Sequence, residues 1–222
     1  NQSANQPREK CHVSTRSYPY ILALGMDLAL DSPKQWNTVA CSGAMTWDAK
    51  EQASNNYEGQ GDRLKNYDST SLKATALNEF IPGRQKQIKF VEKHKPKVIT
   101  LTMGGNDIGF AEKMLYCIMP GICHNVNILR DNLASEIAGQ YENLKNLYSE
   151  LYEASGRQSK IYVIGYPQII NSAMIASCEA NSGNLDSSER EMIMNSVTYL
   201  NNVIQHATKA AGVKYIDIEN SL

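Results

Sequence analysis

The chain is 222 residues long, 42% hydrophobic and 20% charged, with 22 Lys+Arg against 23 Asp+Glu and a net charge of −1. That balance excludes intrinsic disorder and the basic footprint of a general nucleic-acid binder, and no run approaches the ~18–20 unbroken apolar residues of a membrane span. The length suits one domain, and the polar start from Asn1 to Lys10 is no signal peptide, so any targeting segment lies outside these residues.

In chain order, residues 37–40 are the first of four short stretches rich in Val, Ile, Thr or Tyr that read as buried strands; the others are 98–103, 160–164 and 213–218. Residues 48–71 break the rhythm. They are almost wholly polar, and with their flanks they define an insertion of about 48–75, read as a solvated surface segment or a substrate-facing lid. A short helix follows Pro82-Gly83, runs through Ile88 and Val91 and ends near Pro96. Its basic run (Arg84, Lys86, Lys89, Lys93, Lys95, Lys97) interleaves with Glu92 and apolar residues, and reads as a solvated face rather than an anion-binding patch. From Leu129 to Leu151 the apolar residues step by three and four along one face of a long helix, with Gly156 as its stop. Ile193, Val197, Leu200, Ile204, Ala207 and Ala211 mark a second long helix closed by Gly212. Strands alternating with helices predict an α/β fold around a parallel sheet, with helices on both faces.

Two strand ends carry candidate chemistry. The strand at 98–103 runs into Gly104-Gly105-Asn106-Asp107, and ligands of open α/β sheets sit outside the carboxyl ends of the strands. Glycines there permit close backbone approach. The Asn106 carboxamide offers neutral N–H donors of the kind an oxyanion hole needs, while Asp107 is placed to cap the helix through Phe110, Met114 and Leu115. The strand at 37–40 runs into Cys41-Ser42-Gly43-Ala44, where Gly43 could present its backbone N–H to the same pocket, or simply make a strand-to-helix turn.

The five cysteines (Cys11, Cys41, Cys117, Cys123, Cys178) contain no C-x-x-C pair, so ordinary zinc and redox spacings are absent. Cys123-His124 is the nearest approach to a metal pair, and no metal or cofactor is expected. Free buried thiols would suit a cytosolic protein and disulfides an exported one; Cys117 and Cys123, flanking Met119-Pro120-Gly121, invite a local bridge.

Taken together, Cys11-x-x-Ser14-x-x-Ser17-Tyr18-Pro19, Ala40-Cys41-Ser42-Gly43-Ala44, Pro82-Gly83-Arg84-x-x-Gln87, Thr102-x-Gly104-Gly105-Asn106-Asp107-x-Gly109-Phe110, Gly165-Tyr166-Pro167 and Tyr199-Leu200-Asn201 resemble the secreted bacterial lipases and esterases of the SGNH (GDSL-like) hydrolase family. The resemblance implies a three-layer α/β/α sandwich of flavodoxin-like kind, formed by residues 1–222 as a single domain, and carboxylic ester hydrolysis by a Ser nucleophile and a His base. Gly43 and Asn106 match the family's oxyanion-hole residues. It also implies disulfides Cys11–Cys41 and Cys117–Cys123, with a third joining Cys178 to a cysteine past residue 222. Small-molecule or lipid ester substrates, secretion, a monomeric state and no cofactor, nucleic acid or membrane span follow as expectations.

One departure matters. No Gly-Asp-Ser occurs, since Gly61-Asp62 is followed by Arg63, and none of His12, His94, His124 and His206 occupies the place of the catalytic His. Ser14 and Ser42 lack a recognisable His partner and read as structural. An unassisted Ser hydroxyl is a poor nucleophile at neutral pH. Residues 1–222 therefore read as an excerpt of a larger hydrolase, incomplete at both ends and inactive alone. The alternative is an inactive SGNH-like module that binds carbohydrate or protein. An intracellular nucleotide binder is disfavoured, because neither Gly-x-Gly-x-x-Gly nor a Walker-type loop is present.

Overall fold

The computed structural model describes residues 11–30, 35–50, 70–118, 126–170, 185 and 187–221. The chain divides into two compact units, Asn1–Ile99 with Ser149–Ser159 and Thr100–Tyr148 with Lys160–Leu222.

The first unit begins at a disulfide between Cys11 and Cys41, both buried against Ala44 and Val13. Helix α1 (Tyr18–Gly25) starts with Pro19 in its first turn, where a missing N–H costs nothing. The Pro19 carbonyl receives the Trp36 indole N–H at 2.9 Å, and the Trp36 ring meets Tyr20 edge to face at 4.4 Å. Residues 37–40, expected as a strand, form no strand in the structure. The Thr38 hydroxyl takes the Ala40 N–H at 3.3 Å, which removes a donor that a ladder would use.

Helix α2 (Thr46–Ala49) is one turn, closed by the Asp48 carboxylate accepting the Met45 N–H at 2.9 Å. Residues 51–69, the body of the expected insertion, lie outside the described residues, but its end is helical: α3 (Thr70–Glu79). The apolar pattern misses α3 because its fully buried contact is Ala76, a strong helix former too small to mark a stripe. Helix α4 (Gln87–His94) buries Ile88, Phe90 and Val91, as its periodicity predicts, and ends at Lys95 in the left-handed region. Its basic run is more than a solvated face. Lys86 donates to the Trp47 carbonyl, Lys93 to the Asn78 side chain and Lys95 to the Ala154 carbonyl, while Lys89 pairs with Glu92 at 3.1 Å.

Strand β1 (Val98–Leu101) crosses from one unit into the other. Helices α5 (Phe110–Ile118) and α6 (Val126–Ala154) follow, then β2 (Lys160–Ile164), α7 (Ser187–Ala211) and β3 (Lys214–Ile216). The sheet order is β1-β2-β3, and β2 and β3 run parallel in the register Tyr162↔Lys214, Val163↔Tyr215, Ile164↔Ile216. β2 buries Ile161 and Val163 on one face. β1, expected to be buried, is exposed at Val98 and half-buried beyond it; among the described residues it is an edge strand.

The core of the second unit comes from the two long helices read from the sequence. α6 contributes Leu133, Ile137, Leu144, Leu147 and Tyr148, and α7 contributes Ile193, Val197, Leu200 and Ile204, all at 2% exposure or less. Burying each such side chain is worth about 1.5–3 kcal/mol. Both helices stop at the expected glycines, where Arg157 N–H reaches back to Tyr152 and Val213 N–H to Thr208, each at 3.0 Å. Among the described residues no helix is long and apolar enough to cross a membrane.

Candidate active site

Gly43 sits in the tight turn after the disulfide. The Ala44 N–H donates to the Cys41 carbonyl and the Ser42 N–H to the Cys11 carbonyl, each at 3.0 Å. Gly43 holds φ +81°, a conformation that costs side-chain-bearing residues but not glycine. It is exposed, and its N–H makes no hydrogen bond among the described residues. The disulfide spans 30 positions of sequence, which corresponds to roughly 3–4 kcal/mol of loop-closure entropy. The other two expected bridges fall on Cys123 and Cys178, outside the described residues, as does His124.

Asn106 sits on the turn that leaves β1. Met103, Gly104 and Gly105 are buried and Asn106 is exposed. Gly104 holds φ +116°, with the Leu144 and Leu200 side chains within 3.8 Å of where a Cβ would lie. The turn is closed by Gly109 N–H to the Asn106 carbonyl and Phe110 N–H to the Gly105 carbonyl, both at 3.1 Å. Gly109, rather than Asp107, immediately precedes α5; its carbonyl accepts the Lys113 N–H at 3.1 Å. The Lys113 ammonium reaches the Ile108 carbonyl and pairs with Glu136 at 2.7 Å, which ties the turn to α6.

Behind this turn lies a hydrogen-bond network that no single motif announced. The Gly105 N–H donates to the Tyr166 hydroxyl at 2.9 Å. Tyr166 is held in turn by one carboxamide: its N–H donates to Asn201 Oδ1 and its carbonyl accepts from Asn201 Nδ2, both at 2.8 Å. Asn201 Nδ2 also donates to Glu219 at 2.9 Å, and the other Glu219 oxygen accepts from Gln168 Nε2 at 3.0 Å and from the Thr198 hydroxyl. Burial opposes ionisation of Glu219, but the bonds from Asn201, Thr198 and Gln168 outweigh it and hold the carboxyl below its usual value. Burial pushes the Tyr166 phenol up to about 12 against the opposing pull of the Gly105 N–H. Burial also raises Tyr148, whose hydroxyl has no hydrogen-bond partner among the described residues. A sequence signal for the network existed: Asn201 lies four residues from Val197 on the apolar face of α7 and is 3% exposed, and a buried polar group needs partners.

The three described histidines make local contacts of their own. His94 is exposed and stacks on Phe80 at 4.1 Å, with Nε2 2.7 Å from the Leu77 carbonyl. His206 is exposed and its Nδ1 lies 2.7 Å from the Asn202 carbonyl, while His12 is exposed on the turn after Cys11. The Ser14 hydroxyl accepts the Arg16 N–H at 3.1 Å, a local turn contact in keeping with a structural role. Among the described residues no three His, Cys, Asp or Glu side chains gather as metal ligands.

These features define a protein of the α/β sandwich class, with a parallel sheet whose strand tips carry the polar residues, and two solved structures share that fold. An extracellular lipase from Streptomyces rimosus aligns with 99% of the chain and 72% of its own, at TM-score 0.58 and 21% identity. Phospholipase A1 from Streptomyces albidoflavus NA297 aligns with 97% of the chain and 70% of its own, at TM-score 0.54 and 21% identity. The GDSL-like lipase/acylhydrolase family profile matches residues 25–222, and the chain belongs to that family. Lipase 1 of Streptomyces coelicolor is 23% identical over 211 residues; the alignment takes in 95% of this chain and 61% of that protein, so the chain spans less than two thirds of its relative.

Proposed function

We propose that the protein is a carboxylic ester hydrolase of the lipase/esterase type, in which the Asn106 carboxamide and the Gly43 N–H supply the oxyanion hole. The observation that carries this reading is the turn after β1. Two buried glycines at a strand tip hold out an exposed carboxamide in a chain of an acylhydrolase family. The positive φ of Gly43 and an N–H that makes no hydrogen bond among the described residues support the second donor. As a Ser hydroxyl attacks the acyl carbonyl, the C=O electron pair moves onto oxygen, and these N–H groups meet the growing charge. The Ser proton passes to a His and leaves with the alcohol. Water deprotonated by the same His then releases the acid and restores the Ser.

Neither a Gly-Asp-Ser nucleophile nor a matching His occurs within residues 1–222. The step therefore requires a chain that supplies both, and residues 1–222 by themselves should hydrolyse no p-nitrophenyl ester. Export is supported by the Cys11–Cys41 disulfide and by the extracellular lipase among the structural neighbours. The substrate is a small-molecule or lipid ester, and the mechanism uses no cofactor.

The test is Asn106→Ala in the full-length protein. Loss of one oxyanion donor lowers kcat by about 10²–10³-fold with KM little changed, and a change confined to KM removes the assigned role. Absence of the Ser and His favours a second reading, an inactive module that binds carbohydrate or protein. It takes over if the encoded sequence on either side holds neither a Gly-Asp-Ser nor a His-bearing motif.

A further inference from the structure

We propose that Tyr166 is a positioning residue for Asn106, and that Asn201 and Glu219 fix Tyr166 in that role. The inference rests on the reading of Asn106 as an oxyanion donor and deepens it. Gly105 directly precedes Asn106, and its buried N–H has the Tyr166 hydroxyl as acceptor at 2.9 Å. The fit is close, since a Cβ on Gly105 would lie 3.0 Å from that hydroxyl. The residue directly before Asn106 is thus pressed against one phenol and bonded to it through its own N–H.

The phenol cannot drift, because its own backbone is clasped on both polar groups by the Asn201 carboxamide at 2.8 Å. Asn201 cannot rotate without breaking its bond to Glu219 at 2.9 Å. Glu219 is anchored again by Gln168 Nε2 at 3.0 Å and by its own carbonyl, which accepts the Gln168 N–H at 2.8 Å. One chain of bonds therefore joins the segments that leave β1, β2 and β3. Oxyanion donors act only within about 2.7–3.1 Å of the developing charge, and a misplacement of about 1 Å can cost on the order of 10²-fold in rate. Tyr166 anchors the glycine turn that carries this carboxamide from outside the turn.

The experiment compares kcat and KM for p-nitrophenyl butyrate in the full-length protein and in Tyr166→Phe, Asn106→Ala, the double variant and Tyr148→Phe. Tyr166→Phe is expected to lower kcat about tenfold with KM changed less than about twofold. The double variant should be no slower than Asn106→Ala alone, because the phenol acts through the carboxamide. Tyr148→Phe should stay within about twofold of the parent, since its hydroxyl has no hydrogen-bond partner among the described residues. Genetically encoded 3-fluorotyrosine at position 166 keeps the ring in place and weakens the acceptor, which covers the case in which Tyr166→Phe does not fold; a kcat loss of about two- to threefold is expected. Unchanged kcat in the foldable Tyr166 variant, or losses that multiply in the double variant, overturns the proposal while the oxyanion reading stands. Full activity in Asn106→Ala overturns the oxyanion reading itself.

Discussion

The turn at Gly43 and the turn at Asn106 are built by opposite means. The first is held by a covalent bridge between Cys11 and Cys41 and by two backbone bonds beside it, Ser42 N–H to the Cys11 carbonyl and Ala44 N–H to the Cys41 carbonyl. The second is held by hydrogen bonds that span 61 positions from Gly105 to Tyr166 and 35 from Tyr166 to Asn201. A cross-link works mainly by restricting the unfolded chain. The network works only in the folded chain, where water is excluded and each bond is strengthened by its neighbours. The two turns should therefore fail under different insults.

The largest expected effect is on the covalent side. Cys41→Ser should lower stability by roughly 3–4 kcal/mol, read as a lower urea midpoint, and mild reductant should mimic it in the parent but not in the variant. Next comes Gly165→Ala. Its Cβ would press on the Tyr215 hydroxyl and lie 2.9 Å from Asn201 Oδ1, so a loss of about 1–3 kcal/mol is expected, along with activity, while the response to reductant stays unchanged.

A smaller effect is pH-dependent. Glu219 has a folded-state pKa below its unfolded value. It stabilises the fold above the unfolded pKa, and that stability is lost as pH falls through the folded value. Thermal melting of the parent should thus drop on the acid side, and Glu219→Gln should flatten that limb. The smallest effect belongs to Arg157→Ala. Its pair with Glu153 at 2.8 Å is solvent-exposed, and such pairs contribute little, so the melting temperature should not move measurably. A clear drop would show that the end of α6 depends on the ion pair rather than on its backbone bonds.

Much of this arrangement was legible before any coordinates. The steps of three and four from Leu129 to Leu151 mark α6 because helix periodicity is a local property. The short Val- and Ile-rich run at 160–164 marks β2 for the same reason. The glycines at 104 and 105 and the Asn after them marked a strand tip with a neutral donor. The strand expected at 37–40 failed because a ladder needs a partner, and partners are not local. Tyr166, Asn201 and Glu219 stood in plain view as a tyrosine before a proline, an asparagine on an apolar helix face and a glutamate after a strand. Nothing in their spacing said that they touch.

By itself, then, the sequence determined where the long helices and three of the four expected strands lie, because those properties depend on neighbours a few positions away. Its likeness to a hydrolase family also named Cys11 and Cys41 as partners. Only the tertiary structure decided what steadies Asn106. The bonds from Gly105 to Tyr166, from Tyr166 to Asn201 and from Asn201 to Glu219 exist because parallel strands and the helix between them bring distant segments to the same end of the sheet.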